Sequence, residues 1–188
     1  KGIGCVVIDY RIYPEVKIEG ELEDILKALQ WTTENIATYG GNPDRLILAG
    51  HSAGGHMSGL LGLDQSYYTQ AKIDPKKIKG YILMSPILDL VHMEKNNTTD
   101  FNNTTTYAVF GKEQDILTKY SPKTYFKKEM PPLFIMYGEK DFPYLLEQNK
   151  AAIEQMKGFG FSPQVLEIAT YTHEDMVLWA TCRSSLKE

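Results

Sequence analysis

The stretch Gly50-His51-Ser52-Ala53-Gly54 lies between an apolar run, Leu46-Ile47-Leu48-Ala49, and a helix-compatible run from Ala53 to Leu63. A chain that passes from strand to helix over so few residues must turn sharply. Glycine on both sides of a serine suits such a turn, because the backbone is strained there and a side chain is expected to collide with neighbouring chain. The serine hydroxyl is then held up and exposed. A glycine-flanked serine between a strand and a helix reads as a nucleophile elbow.

The remaining sequence repeats the alternation. Ile3 to Ile8 is a continuous apolar run rich in β-branched residues, which predicts a strand buried on both faces. Leu22, Ile25, Leu26, Leu29 and Ile36 recur at helical spacing from Glu21 onward, and Gly40-Gly41-Asn42-Pro43 stops that helix. Further strands are expected at Ile78 to Met84, Leu133 to Tyr137 and Gln164 to Ile168, with helices at Leu145 to Gly158 and Asp175 to Leu186. Five strands and their helices predict one α/β domain with a mainly parallel sheet. Residues 87–130 interrupt the pattern. Their polar centre, Asn96 to Thr106, has no period, and the segment reads as an insertion or cap over one end of the sheet.

Composition bounds the partners. The 188 residues are 43% hydrophobic and carry a net charge of -4, enough apolar material for one core and no broad electrostatic attraction for nucleic acid. No apolar run approaches the ~20 residues of a membrane-spanning helix. The two cysteines, Cys5 and Cys182, form neither a disulfide framework nor a metal-ligand cluster and read as packing residues. No metal or cofactor is expected. Overlapping Asn-x-Thr sequons between Asn96 and Thr105 reflect the composition of an Asn/Thr-rich patch, and the compartment is left open.

In a parallel sheet, functional groups collect at the carboxyl ends of the strands. Ser52, Asp141 and His173 occupy three such ends, in the order serine, acid, histidine. A serine hydroxyl needs an imidazole to take its proton during attack, and a carboxylate to hold that imidazole in the right tautomer. Asp89 also follows a strand and is the rival acid; Asp141 is preferred because a tight turn, Gly138 to Asp141, places it directly after its strand. The backbone N–H of Ala53 is a natural oxyanion donor. His51, beside the serine, and His92 and Asp89, in the insertion, are candidates for the substrate pocket, whereas His56 reads as structural.

Several longer motifs resemble one family. Cys5 to Glu15 (CVVIDYRIYPE), Glu23-Asp24, Ala28 to Trp31, Tyr39 to Arg45 and Gly50 to Gly54 are similar to the esterase/lipase branch of the α/β-hydrolases. The GHSAGGH form resembles its feruloyl-esterase-like, arylformamidase and prenylcysteine-methylesterase groups. The resemblance implies Ser52 as nucleophile, Asp141 as acid and His173 as base, acting without a cofactor on small carboxylic esters. Arylformamidase-type amide hydrolysis and a catalytically silent binding module are the alternatives. The His-Gly-Gly oxyanion loop that the family carries ahead of its equivalent of Val6 to Asp9 is absent. By the family's topology a further strand separates Ile3–Ile8 from Leu46–Ala49, and leaving its place empty would hold them about 10 Å apart. The chain is therefore expected to be a fragment or truncated product of a longer hydrolase, feeble when alone.

Overall fold

The computed structural model describes residues 2–96 and 100–182. Its framework is a four-stranded parallel sheet in the order β1 (Leu46–His51), β2 (Ile78–Met84), β3 (Leu133–Lys140) and β4 (Gln164–Thr172). Helix α1 (Ile18–Asn35) precedes β1, and α2 (Ala53–Leu63) and α3 (Ser66–Gln70) follow it. Between β2 and β3 lie α4 (Leu90–Asn96), α5 (Asp100–Phe110) and α6 (Gln114–Lys119). Helix α7 (Pro143–Gly158) connects β3 to β4, and α8 (Asp175–Cys182) follows β4. This is the expected α/β class, with all three strand pairings parallel. No described helix is long and apolar enough to cross a membrane.

The apolar spacing of α1 explains its packing. Ile18, Leu22, Ile25, Leu26 and Leu29 fall on one face and are all buried. Each contributes about 2 kcal/mol by leaving water. Helix α2 lies on β1 and β2, so its burial is nearly continuous from Gly55 to Leu63. Arg11 fastens the preceding chain to α1 through three bonds to Asp24, Nη2 to Oδ1 at 2.7 Å, Nε to Oδ2 at 2.8 Å and its backbone N–H to Oδ2 at 3.1 Å. The hydrogen bond from the Arg11 side chain is the main reason that the Asp24 carboxyl falls to about 2.

Two expectations need correction. Residues 2–12 form neither strand nor helix, and Ile3 and Val7 are each 90% exposed. An apolar run reports what a strand could bury, but a strand also needs a neighbour for its N–H and C=O groups, and among the described residues β1 pairs only with β2. Cys5 is consequently exposed rather than packed; the side chain of Cys182 is outside the described residues. The second correction concerns Asn96 to Thr106, where α5 crosses a stretch without helical period. Asn and Thr are indifferent helix formers, but Thr106 is buried and Phe110 packs on the rings of His56, at 5.4 Å, and Tyr120, at 5.9 Å. Tertiary burial outweighs local preference there.

His56 is structural, as expected. It is buried in α2, and its Nε2–H donates to the Tyr120 carbonyl at 2.7 Å. Burial lowers its pKa to about 4 from 6.5. The unfolded chain takes up a proton that the folded chain refuses, so stability is intact above about pH 6.5 and falls as pH drops toward 4, by about 3 kcal/mol over the window. Urea denaturation across that window should show this slope, and His56→Gln, which keeps a donor for Tyr120 but does not titrate, should flatten it. An unchanged slope in His56→Gln would assign the acid sensitivity to another group.

Candidate active site

Ser52 follows β1 and opens α2 with φ of 54° and ψ of -114°, a strained conformation for a non-glycine residue. Its N–H donates to the Met84 carbonyl at 2.9 Å, which ties the turn to β2. Its hydroxyl does not cap the helix. A Cβ on Gly50 would sit 2.2 Å from the Gly54 carbonyl oxygen, so the first glycine is obligatory. The second departs from expectation. A Cβ on Gly54 would meet nothing within 4 Å, because position 54 faces open space rather than neighbouring chain.

Asp141 and His173 are brought together by the ends of β3 and β4. The ladder shifts register between Gly138 and Lys140, and a Cβ on Gly138 would lie 2.2 Å from the Tyr171 carbonyl oxygen. Glycine thus permits the close approach of the two loops. His173 Nδ1 donates to Asp141 Oδ1 at 2.8 Å. The Phe142 N–H donates to the same oxygen at 2.7 Å. Burial pushes the Asp141 carboxyl up, but the His173 hydrogen bond, the Ser85 hydroxyl, the His173 charge and the Phe142 N–H together hold it below the ordinary carboxylate range. It stays ionised at neutral pH. Nδ1 is committed to Asp141, so of the two ring nitrogens Nε2 is the one not engaged with that carboxylate.

The loop carrying His173 has its own support. Thr172 exchanges hydrogen bonds with Asp175, its N–H and hydroxyl both donating to Oδ2 at 2.9 Å. Thr172 and Asp175 therefore start α8, and His173 is not spent as a helix cap. The Phe142 ring stands 4.9 Å from the His173 ring and is stacked on Tyr144 at 5.7 Å. On the other side, His51 Nε2 lies 3.0 Å from the His173 carbonyl oxygen. That bond places the base loop against the residue preceding Ser52.

The rival acid is engaged elsewhere. Asp89 accepts the His92 N–H at 3.0 Å as α4 begins and forms an ion pair with Lys123. His92, in α4, lies 3.5 Å from Glu147. Neither bonds to His173. Ser85 is a participant that the sequence reading passed over. It is wholly buried at the end of β2, with φ of 45°. Its Oγ and Asp141 Oδ2 both lack a hydrogen-bond partner among the described residues, so the Ser85 hydroxyl favours the ionised carboxylate by its nearness and not through a formed bond. The sequence signal was slight, a serine before Pro86 at a strand end.

The family model described as BD-FAE matches residues 1–156. The chain belongs to the BD-FAE family. The match takes in Ser52 and Asp141 and ends before His173. Among characterised relatives, the chain is 26% identical over 188 residues to esterase LipQ of Mycobacterium tuberculosis, covering 97% of this chain and 45% of LipQ. It is 23% identical over 197 residues to the isoprenylcysteine alpha-carbonyl methylesterase ICME of Arabidopsis thaliana, covering 96% and 45%. It thus spans less than half the length of these relatives. Among solved structures, propionate-bound esterase Est2 of Thermogutta terrifontis superposes with a TM-score of 0.64 at 21% identity, over 92% of this chain and 68% of Est2. A truncated carbohydrate esterase from gut microbiota gives 0.74 at 18% identity, over 95% and 73%. These likenesses show an α/β-hydrolase fold for this BD-FAE chain.

Proposed function

We propose that this BD-FAE chain carries the nucleophile, base and acid of a serine hydrolase that cleaves carboxylic esters of small molecules. Ser52 Oγ attacks the ester carbonyl carbon while His173 Nε2 takes its proton, and the tetrahedral oxyanion is held by the Ala53 N–H at the start of α2. Collapse expels the alcohol, which receives that proton from His173, and leaves an acyl-enzyme. Water, deprotonated by the same nitrogen, then attacks the acyl carbon, and breakdown of the second intermediate returns the proton to Ser52. Asp141 keeps Nδ1–H in place and offsets the charge of the imidazolium.

One observation supports this reading above the others. His173 is held by Asp141 from one side and by His51, the neighbour of Ser52, from the other, which supports a common site for the three groups at one end of the sheet. The relatives named as esterases favour an ester as the substrate. Residues 87–130 are proposed to shape the acyl or alcohol pocket, with His92 and Asp89 in that segment. The 188 residues are further proposed to be part of a longer hydrolase, a reading supported by the edge of β1 that has no paired strand among the described residues.

Hydrolysis of p-nitrophenyl acetate and of N-formylkynurenine by the protein extended with its upstream coding sequence tests the reaction class. The expected result is turnover of the acetate ester with little of the formamide. Preference for the formamide would replace an ester hydrolase with an amide hydrolase, and inertness toward both, with no fluorophosphonate adduct on Ser52, would leave a binding module.

A further inference from the structure

We propose that His51 is a positioning residue that fixes the backbone of the base loop rather than a contact for substrate. This inference rests on the triad reading of Ser52, Asp141 and His173. Within the turn, Gly50 is demanded by the close Gly54 carbonyl and Ser52 is the reacting group, whereas the backbone makes no such demand of position 51. What His51 touches therefore decides its use. Its Nε2 is 3.0 Å from the His173 carbonyl oxygen, and its ring centroid is 4.5 Å from that of His173 at an interplanar angle of 47°.

A carbonyl oxygen can only accept, so the nitrogen facing it carries the proton, and His51 is the Nε2–H tautomer. That donor is already used and is not free to point at a substrate oxygen. The base is then gripped twice. Asp141 holds the His173 side chain from β3, and His51 holds its main chain from β1. On the triad reading, Nε2 of His173 must come within hydrogen-bonding reach of a hydroxyl on the residue after His51, and a bond from His51 itself ties the two loops directly. Burial, and then the neighbouring His173, lower the His51 pKa, against the opposing pull of its own hydrogen bond and of Asp141 and Glu174. His51 is thus neutral when His173 becomes cationic.

The test compares His51→Phe, which keeps a ring against His173 but no donor, with His51→Gln, which keeps a side-chain N–H donor. In the extended protein turning over p-nitrophenyl acetate, His51→Phe should lower kcat roughly tenfold to a hundredfold with KM little changed, the range for a displaced catalytic group. His51→Gln should recover kcat to within about threefold of the original. A rise in KM at constant kcat would make His51 a substrate contact, and equal losses in both variants would make it a packing residue; either result overturns the proposal. Nitrogen-15 shifts of the imidazoles give a readout independent of turnover, in which an Nδ1–H tautomer at His51 would also overturn it. Failure of the triad reading is distinguishable, because it would appear as absent Ser52 labelling in the unsubstituted protein.

Discussion

Replacement of Ser52 by alanine is expected to abolish covalent labelling by a fluorophosphonate and to lower kcat by about 10⁴-fold or more, the scale on which removing one member of such a triad acts. The substitution removes only the hydroxyl. Alanine keeps the β-carbon, so the strain at φ of 54° is unchanged, and no helix cap is lost because Ser52 Oγ caps nothing. The melting temperature should therefore move little, which separates lost chemistry from lost folding. The acid can be identified in the same series. Asp141→Asn takes the charged acceptor from His173 Nδ1 and should cost about a thousandfold or more in kcat. Asp89→Asn weakens the ion pair with Lys123 and the start of α4 and should leave kcat within a few fold. Labelling that persisted in Ser52→Ala would remove the nucleophile assignment, and a larger loss at Asp89 would move the acid to the insertion.

The core of the sheet was legible because β2 and β3 carry the apolar runs Tyr81 to Met84 and Leu133 to Tyr137 with turn residues beyond them, and such runs have little alternative to burial. Ile3 to Ile8 has the same composition and forms no strand. Apolar patterning records what a segment can bury, whereas strand formation depends on a partner elsewhere in the chain. The missed helix α5 shows the converse, since its Asn and Thr residues carry no periodic signal and Phe110 meets His56 only after folding. At the site, Asp141 and His173 could be read as neighbours because strand ends in a parallel sheet converge. The bond from His51 to the backbone of His173 could not be read, because it depends on two loops distant in sequence.

Extending the protein at its amino end with its upstream coding sequence is expected to raise kcat on p-nitrophenyl acetate by about a hundredfold to a thousandfold over the 188-residue chain. An oxyanion needs preorganised donors, and on the proposed mechanism the Ala53 N–H is one of them. A missing second donor costs about 3 kcal/mol in the transition state, which is that factor in rate. The structure offers a place for the segment that would bring it. β1 ends the sheet with Ile47 60% exposed, and its outer edge has no paired strand among the described residues. A strand laid along that edge would join its ladder to β1. Gly54 fits the same reading, since a glycine facing open space has no local steric need and would acquire one if another backbone approached it. Hydrogen exchange provides the structural counterpart: outward-facing amides of β1 should be slowed in the extended protein relative to the 188-residue chain, while those of β3 change little. Equal turnover in both forms, with β1 amides exchanging alike, would mean that the donor set is already complete within these residues and that the exposed edge of β1 plays no part in catalysis.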